Sequence, residues 1–120
     1  MLIRRMIEHM KNKKLELKRQ REQFTERVNA EYERFRIEIL SGTKEEVYEN
    51  AFRIYFYREL VDYLTDEFNL KCMDEELLEN AEPIAVLWLY YIKSDWTSID
   101  SEENIFQLTE DFCESERRAA

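Results

Sequence analysis

Residues 43–68 read TKEEVYENAFRIYFYRELVDYLTDEF, and the fold turns on how this stretch is built. It is the most aromatic part of the chain and holds no Gly or Pro. Thr43 followed by Glu46 is a capping box: the hydroxyl can accept the third amide of a first turn, and the carboxylate can reach back to the cap's own amide. Glu45, Glu46 and Glu49 stand where the positive end of a helix dipole favours negative charge. Gly42 just upstream suits a left-handed residue that closes a preceding helix. Apolar side chains fall on nearly every side, which places the stretch in the middle of a bundle. The spacing therefore predicts one continuous central helix over 44–68. Glu46, Asn50 and Arg53 share one polar face of it, and Arg58, Asp62 and Thr65 another, so different neighbours cover its two halves. The run Tyr55-Phe56-Tyr57 reads as core packing.

Upstream, residues 2–40 read as one long helix ended by Ser41-Gly42. Leu2, Ile3, Met6, Ile7 and Met10 form an apolar stripe at helical spacing. Leu17, Phe24, Val28, Phe35 and Ile39 continue it at steps of seven and four, with Tyr32 nearby. Such a helix is about 60 Å long, while a compact domain of this size has a radius of gyration of roughly 14 Å. Three outcomes resolve the mismatch: the first half frays, the helix breaks near Asn12, or it projects and finds a partner. A stripe with seven-residue steps is what a two-helix seam needs, so Ile3, Met6, Met10 and Leu17 are the candidate self-association residues of a homodimer.

Downstream, residues 69–73 read as a connector. Asp74 can cap a short helix over 75–80, with Leu77 and Leu78 pointing inward. Glu82-Pro83 opens another, since Pro is tolerated where its amide would be unpaired anyway. Residues 84–92 are apolar all round; they read as a buried helix rather than a buried strand, because Pro83 opens them and the neighbours are helical. Residues 93–98 form a loop holding Trp96. Asp100 or Ser101 caps a last helix to about residue 116, with Ile105, Leu108 and Phe112 inward and Arg117 and Arg118 at the negative end of its dipole.

One Gly and one Pro in 120 residues exclude a turn-rich β protein. The expected fold is all-α: a small helical bundle in which the long N-terminal helix packs on the central aromatic-rich helix. It is expected as a single domain over 1–120, with a basic, projecting arm at 1–21 and a bundle at 22–116. Cys72 and Cys113 lie far apart, and His9 is the one histidine, so neither structural zinc nor a disulfide is implied. Free thiols are the default of a reducing cytoplasm, the expected location. The basic residues near the N-terminus precede no uninterrupted apolar run, unlike a secretory signal. The longest apolar run has nine residues, too short to span a bilayer.

No Ser lies near His9 in a strained turn, no glycine-rich phosphate loop occurs, and no Glu-x-x-His pair suits a di-iron site. Acids at 74–76 could hold magnesium, but capping and dipole explain them. The expectation is no enzyme, no cofactor and no metal site. Charge is the strong signal. Residues 1–40 hold 11 Lys/Arg against 7 Asp/Glu, and residues 41–120 hold 7 against 20. Asp62, Asp66, Glu67, Asp74, Glu75, Glu76 and Glu79 begin an acidic helical surface able to occupy a basic, nucleic-acid-binding groove by mimicking DNA. Solubility accounts for the same acids. Arg4, Arg5, Lys11, Lys13 and Lys14 are candidate phosphate contacts, or solvated faces of the helix. The leading expectation is a non-catalytic, acidic protein-binding inhibitor. The alternatives are an adaptor that self-associates through its N-terminal helix and a nucleic-acid binder using the basic arm.

The order of these elements carries a resemblance. Arg58-Glu59-Leu60 in an aromatic helix is followed by Glu75-Glu76-Leu77-Leu78, then Glu82-Pro83-Ile84-Ala85, then an acidic terminal helix with Cys113. Over roughly residues 25–116 this resembles the small bacterial and phage proteins grouped as domain of unknown function 3848. The resemblance rests on order and residue type. It implies a helical fold, and the family has no known catalytic residues to carry over. It also fits a phage or mobile-element antagonist of the anti-CRISPR kind, with a CRISPR nuclease as partner.

Overall fold

The computed structural model describes residues 2–94 and 102–119. Seven helices follow one another among them: α1 Leu2–Leu40, α2 Lys44–Glu49, α3 Ala51–Leu64, α4 Glu67–Lys71, α5 Glu75–Leu78, α6 Pro83–Lys93 and α7 Glu102–Ala119. The fold is all-α, as the scarcity of breakers requires. The Trp96 loop and the cap at Asp100 or Ser101 fall outside the described residues. The final helix runs past residue 116 to Ala119, with Ile105, Leu108 and Phe112 buried as expected.

α1 is continuous, with no break at Asn12. Only its second half joins the core. Phe24, Val28 and Phe35 are buried against α3 and α6, with the Phe35 and Tyr57 rings 4.1 Å apart. α3 lies at the centre, burying Phe56, Tyr57, Leu60, Tyr63 and Leu64. Tyr55, immediately before Phe56 in sequence, stays exposed, so two of the three run residues pack inward. Leu70, Leu77, Leu78, Ile84, Leu87 and Tyr91 close the core from α4, α5 and α6. Each such side chain contributes roughly 1.5–3 kcal/mol on burial.

The expected continuous helix over 44–68 is three helices. Asn50 departs from helical geometry (φ −96°, ψ 12°), and its side-chain amide donates to the Glu46 carbonyl at 2.8 Å, competing with the backbone ladder. At the second break the Thr65 hydroxyl donates to the Val61 carbonyl at 2.7 Å, and Asp66 turns extended (φ −68°, ψ 130°). The Asp66 carboxylate then caps α4 by accepting the Asn69 amide at 3.1 Å. The connector expected at 69–73 is thus largely helix, and the helix expected over 75–80 stops at Leu78.

Gly42 does not have a positive φ, contrary to the left-handed reading. A Cβ there would meet the end of the flexible Glu46 side chain at 2.5 Å, which can swing aside, and the Ile39 carbonyl at 3.3 Å, so the demand for glycine is modest. Thr43 caps α2 as expected, its hydroxyl accepting the Glu46 amide at 3.1 Å. α6 is a helix opened by Pro83, but not buried all round: Leu89 and Ile92 are exposed. No described helix is long and apolar enough to cross a membrane.

Candidate functional site

The continuous helix α1 divides into two parts that share one face. Counting back by sevens from buried Phe24 gives Leu17, Met10 and Ile3. Seven residues turn a helix by nearly two revolutions, so these side chains extend the same stripe. Every residue from 2 to 19 is exposed, and Gln20 is the first that is partly buried. Ile3 is 74% exposed, Met6 59% and Met10 61%, and Leu2, Ile7, Leu15 and Leu17 are also open to solvent. The arm is about 27 Å long. It contains no Gly or Pro and is propagated from a formed helix, so it avoids the cost of nucleation. The molecule measures 67 × 30 × 26 Å, with a radius of gyration of 17.3 Å.

Arg4, Arg5, Lys11, Lys13 and Lys14 all lie on this arm, with Lys18, Arg19 and Arg21 nearer its base. None of these eight cations makes an ion pair within the chain among the described residues. Residues 1–21 hold only two acids, Glu8 and Glu16. The arm is therefore amphipathic, with basic and apolar sides both unpartnered.

The acids singled out from the sequence divide by structural role. Asp62, Glu67, Glu75 and Glu79 are exposed and make no ion pair among the described residues. Asp66 is exposed but is spent on the α4 cap. Asp74 stands at the N-cap position of α5 without making the cap bond; instead Asp74 and Glu76 accept from Arg117 at 3.2 and 3.4 Å, tying α5 to α7. Ligand atoms of Asp74, Glu76 and Cys113 lie within 4.8 Å of one another, and Arg117 supplies the positive charge beside them. Burial, with the charges of Asp74 and Glu76, pushes the Cys113 thiol up to about 12, so it stays protonated and unreactive near neutral pH. Cys72 is exposed, and both thiols are free.

Two polar residues of α1 organise the bundle. Glu31, 6% exposed, accepts the Ile84 amide at 2.8 Å and the Ala85 amide at 2.9 Å. It caps α6 from another helix, where the amides of a first turn lack internal partners. Burial raises its pKa above the usual carboxylate value, against the lowering effect of those two amides. One turn earlier, Arg27 donates to the Leu78 carbonyl and, at 3.3 Å, to the Asn80 carbonyl, closing the end of α5. Sequence reasoning passed over both. The signal was present: Glu31 falls seven residues after Phe24, a carboxylate in line with an apolar stripe.

Arg53, expected on a polar face, lies instead among aromatic rings. Its guanidinium is 5.2 Å from the Phe35 ring centre, 5.0 Å from Tyr57 and 5.8 Å from Trp88, and it donates to the Tyr57 hydroxyl at 2.9 Å. A half-buried cation over ring faces is held by their quadrupoles, so this box is already filled by the chain's own charge. No family model matches the chain, no curated protein matches it, and no solved structure matches it. The resemblance in element order gains no support from these comparisons, and the functional reading rests on the geometry.

Proposed function

We propose that this is a non-catalytic binding protein, an adaptor whose working element is the projecting arm. The observation that carries it is that every residue from 2 to 19 is exposed along a stripe that, seven residues further on, is buried core. Large apolar side chains aligned on one face of a helix serve association. The bundle supplies the formed helix from which the arm grows. Amide exchange over residues 2–19 tests this, in the protein alone at rising concentration, with duplex DNA and with a bacterial lysate. Protection of the arm in any one condition is the expected result. An arm that exchanges freely in all of them removes the reading.

A second reading keeps the acidic body as the docking face: an inhibitor, anti-CRISPR-like in manner, that occupies the basic nucleic-acid groove of an effector. It is favoured by the exposure of Asp62, Glu67, Glu75 and Glu79 without ion pairs. Charge matching of this kind governs encounter and partner choice. Reversing those four to Lys leaves the α4 cap and the Arg117 pairs intact. It should abolish capture of a basic partner with helicity unchanged; retained capture would sink this reading.

A further inference from the structure

The end of the molecule opposite the arm carries a shallow apolar groove between the last turn of α1 and helices α2 and α3. Leu40, Val47, Tyr48, Ala51 and Ile54 line it, together with Gly42 and Lys44. Leu40 is 70% exposed and Tyr48 84%, and Ile37 stands exposed one turn before Leu40. The segments that form it are acid-rich: residues 37–54 hold Glu38, Glu45, Glu46 and Glu49 against Lys44 and Arg53, and the Arg53 guanidinium is engaged with the rings of Phe35, Tyr57 and Trp88.

We propose that this groove receives the arm of a second copy of the chain, so that the protein assembles arm to groove. The inference rests on the arm being the binding element. Two features identify the occupant. The first is charge: residues 2–14 carry five Lys/Arg and one acid, the reverse of the groove's surround. Pairing two arms would instead bring like charge against like, which costs affinity. The second is reach. α1 is one unbroken helix, so a chain's own arm is held about 50 Å from its own groove and cannot fold back into it. The groove of one copy and the arm of another are therefore each left open and mutually complementary. Ile3, Met6 and Met10 present the apolar side to Leu40 and Tyr48, and Arg4 and Arg5 come within range of Glu45 and Glu49. An arm-to-groove contact joins two different surfaces, so it can close reciprocally between two copies or extend through more.

Two variants separate this arrangement from arm-to-arm pairing. Met6→Glu with Met10→Glu disables the arm, and Leu40→Glu with Tyr48→Glu disables the groove. All four positions are exposed, so each variant should keep its fold. Sedimentation should show wild type above its single-chain mass of 14.8 kDa, more so at low salt. Each variant alone should be monomeric, and an equimolar mixture of the two should form a dimer, because one intact arm meets one intact groove. Arg4→Glu with Arg5→Glu should weaken association by about tenfold or more, and Glu45→Lys with Glu49→Lys in the same chain should restore it. A groove variant that associates like wild type overturns the proposal in favour of arm-to-arm pairing, and a mixture that stays monomeric overturns it as well. A wild type that is monomeric at every concentration also overturns it. In that last case the adaptor reading stands or falls separately, on protection of residues 2–19 by another partner.

Discussion

The two halves of α1 have the same kind of sequence and opposite surroundings. From Phe24 onward, the apolar stripe is covered by α3, α5 and α6, and its one carboxylate, Glu31, is matched to two amides of α6. From Leu2 to residue 19 the stripe continues and, among the described residues, it stays exposed. Helical periodicity is a property of a segment, whereas burial belongs to what lies beside it. One pattern can therefore serve a fold in one half and a partner in the other.

The sharpest way to break the comparison is to truncate side chains on the shared stripe. Phe24→Ala in the covered half should cost about 3–5 kcal/mol of stability, measured by urea unfolding. Met10→Ala, two steps of seven earlier, should cost no more than about 0.5 kcal/mol. Equal losses at the two sites would mean that the arm is packed in solution. Next in size, Glu31→Ala leaves two first-turn amides of α6 without their acceptor and should cost about 2–4 kcal/mol.

Glu31→Gln sharpens this through pH. Because burial raises the folded-state pKa of Glu31, its contribution is complete below the unfolded pKa and is lost as pH rises through the folded value. The variant has no such titration. The stability difference between variant and wild type should therefore shift in the variant's favour as pH rises through and above the usual glutamate range. A difference flat in pH would show that the two amide hydrogen bonds fully offset the effect of burial.

The smallest expected effect concerns the thiols. In native protein near pH 7.5 a thiol reagent should modify Cys72 and spare Cys113, and both should react in denaturant. Prompt reaction of Cys113 in the native state would mean that the contact between α5 and α7 opens readily.

Long, strongly patterned segments were legible in the sequence. α1 follows from its steps of seven and four, α6 from Pro83, and the inner face of α7 from Ile105, Leu108 and Phe112. The breaks at Asn50 and at Thr65-Asp66 were less so. There, side-chain hydrogen bonds to nearby carbonyls and amides decide locally against a run that periodicity carries through. The T-D-E of 65–67 is nonetheless a capping signature that the apolar pattern outweighed. Interactions across the fold were not legible. Glu31 meets the start of α6 more than fifty residues later, and Arg117 meets Asp74 and Glu76 only once α5 and α7 lie together. The same holds for Arg53, whose aromatic surroundings come from α1, α3 and α6. For the candidate site, the apolar arm residues were visible, whereas the groove at Leu40 and Tyr48 was not, because it exists only where the end of α1 meets α2 and α3.

The unbroken course of α1 has a mechanical consequence. With no Gly or Pro between Leu2 and Leu40, a load applied at Ile3 acts about 30 Å from Phe24, at the end of a lever with no hinge. The fulcrum is the short stretch where Phe24, Arg27, Val28 and Glu31 grip the bundle. A torque on the tip is therefore delivered to the bonds that hold the end of α5 and the start of α6, and whatever seizes the arm also pulls on the body.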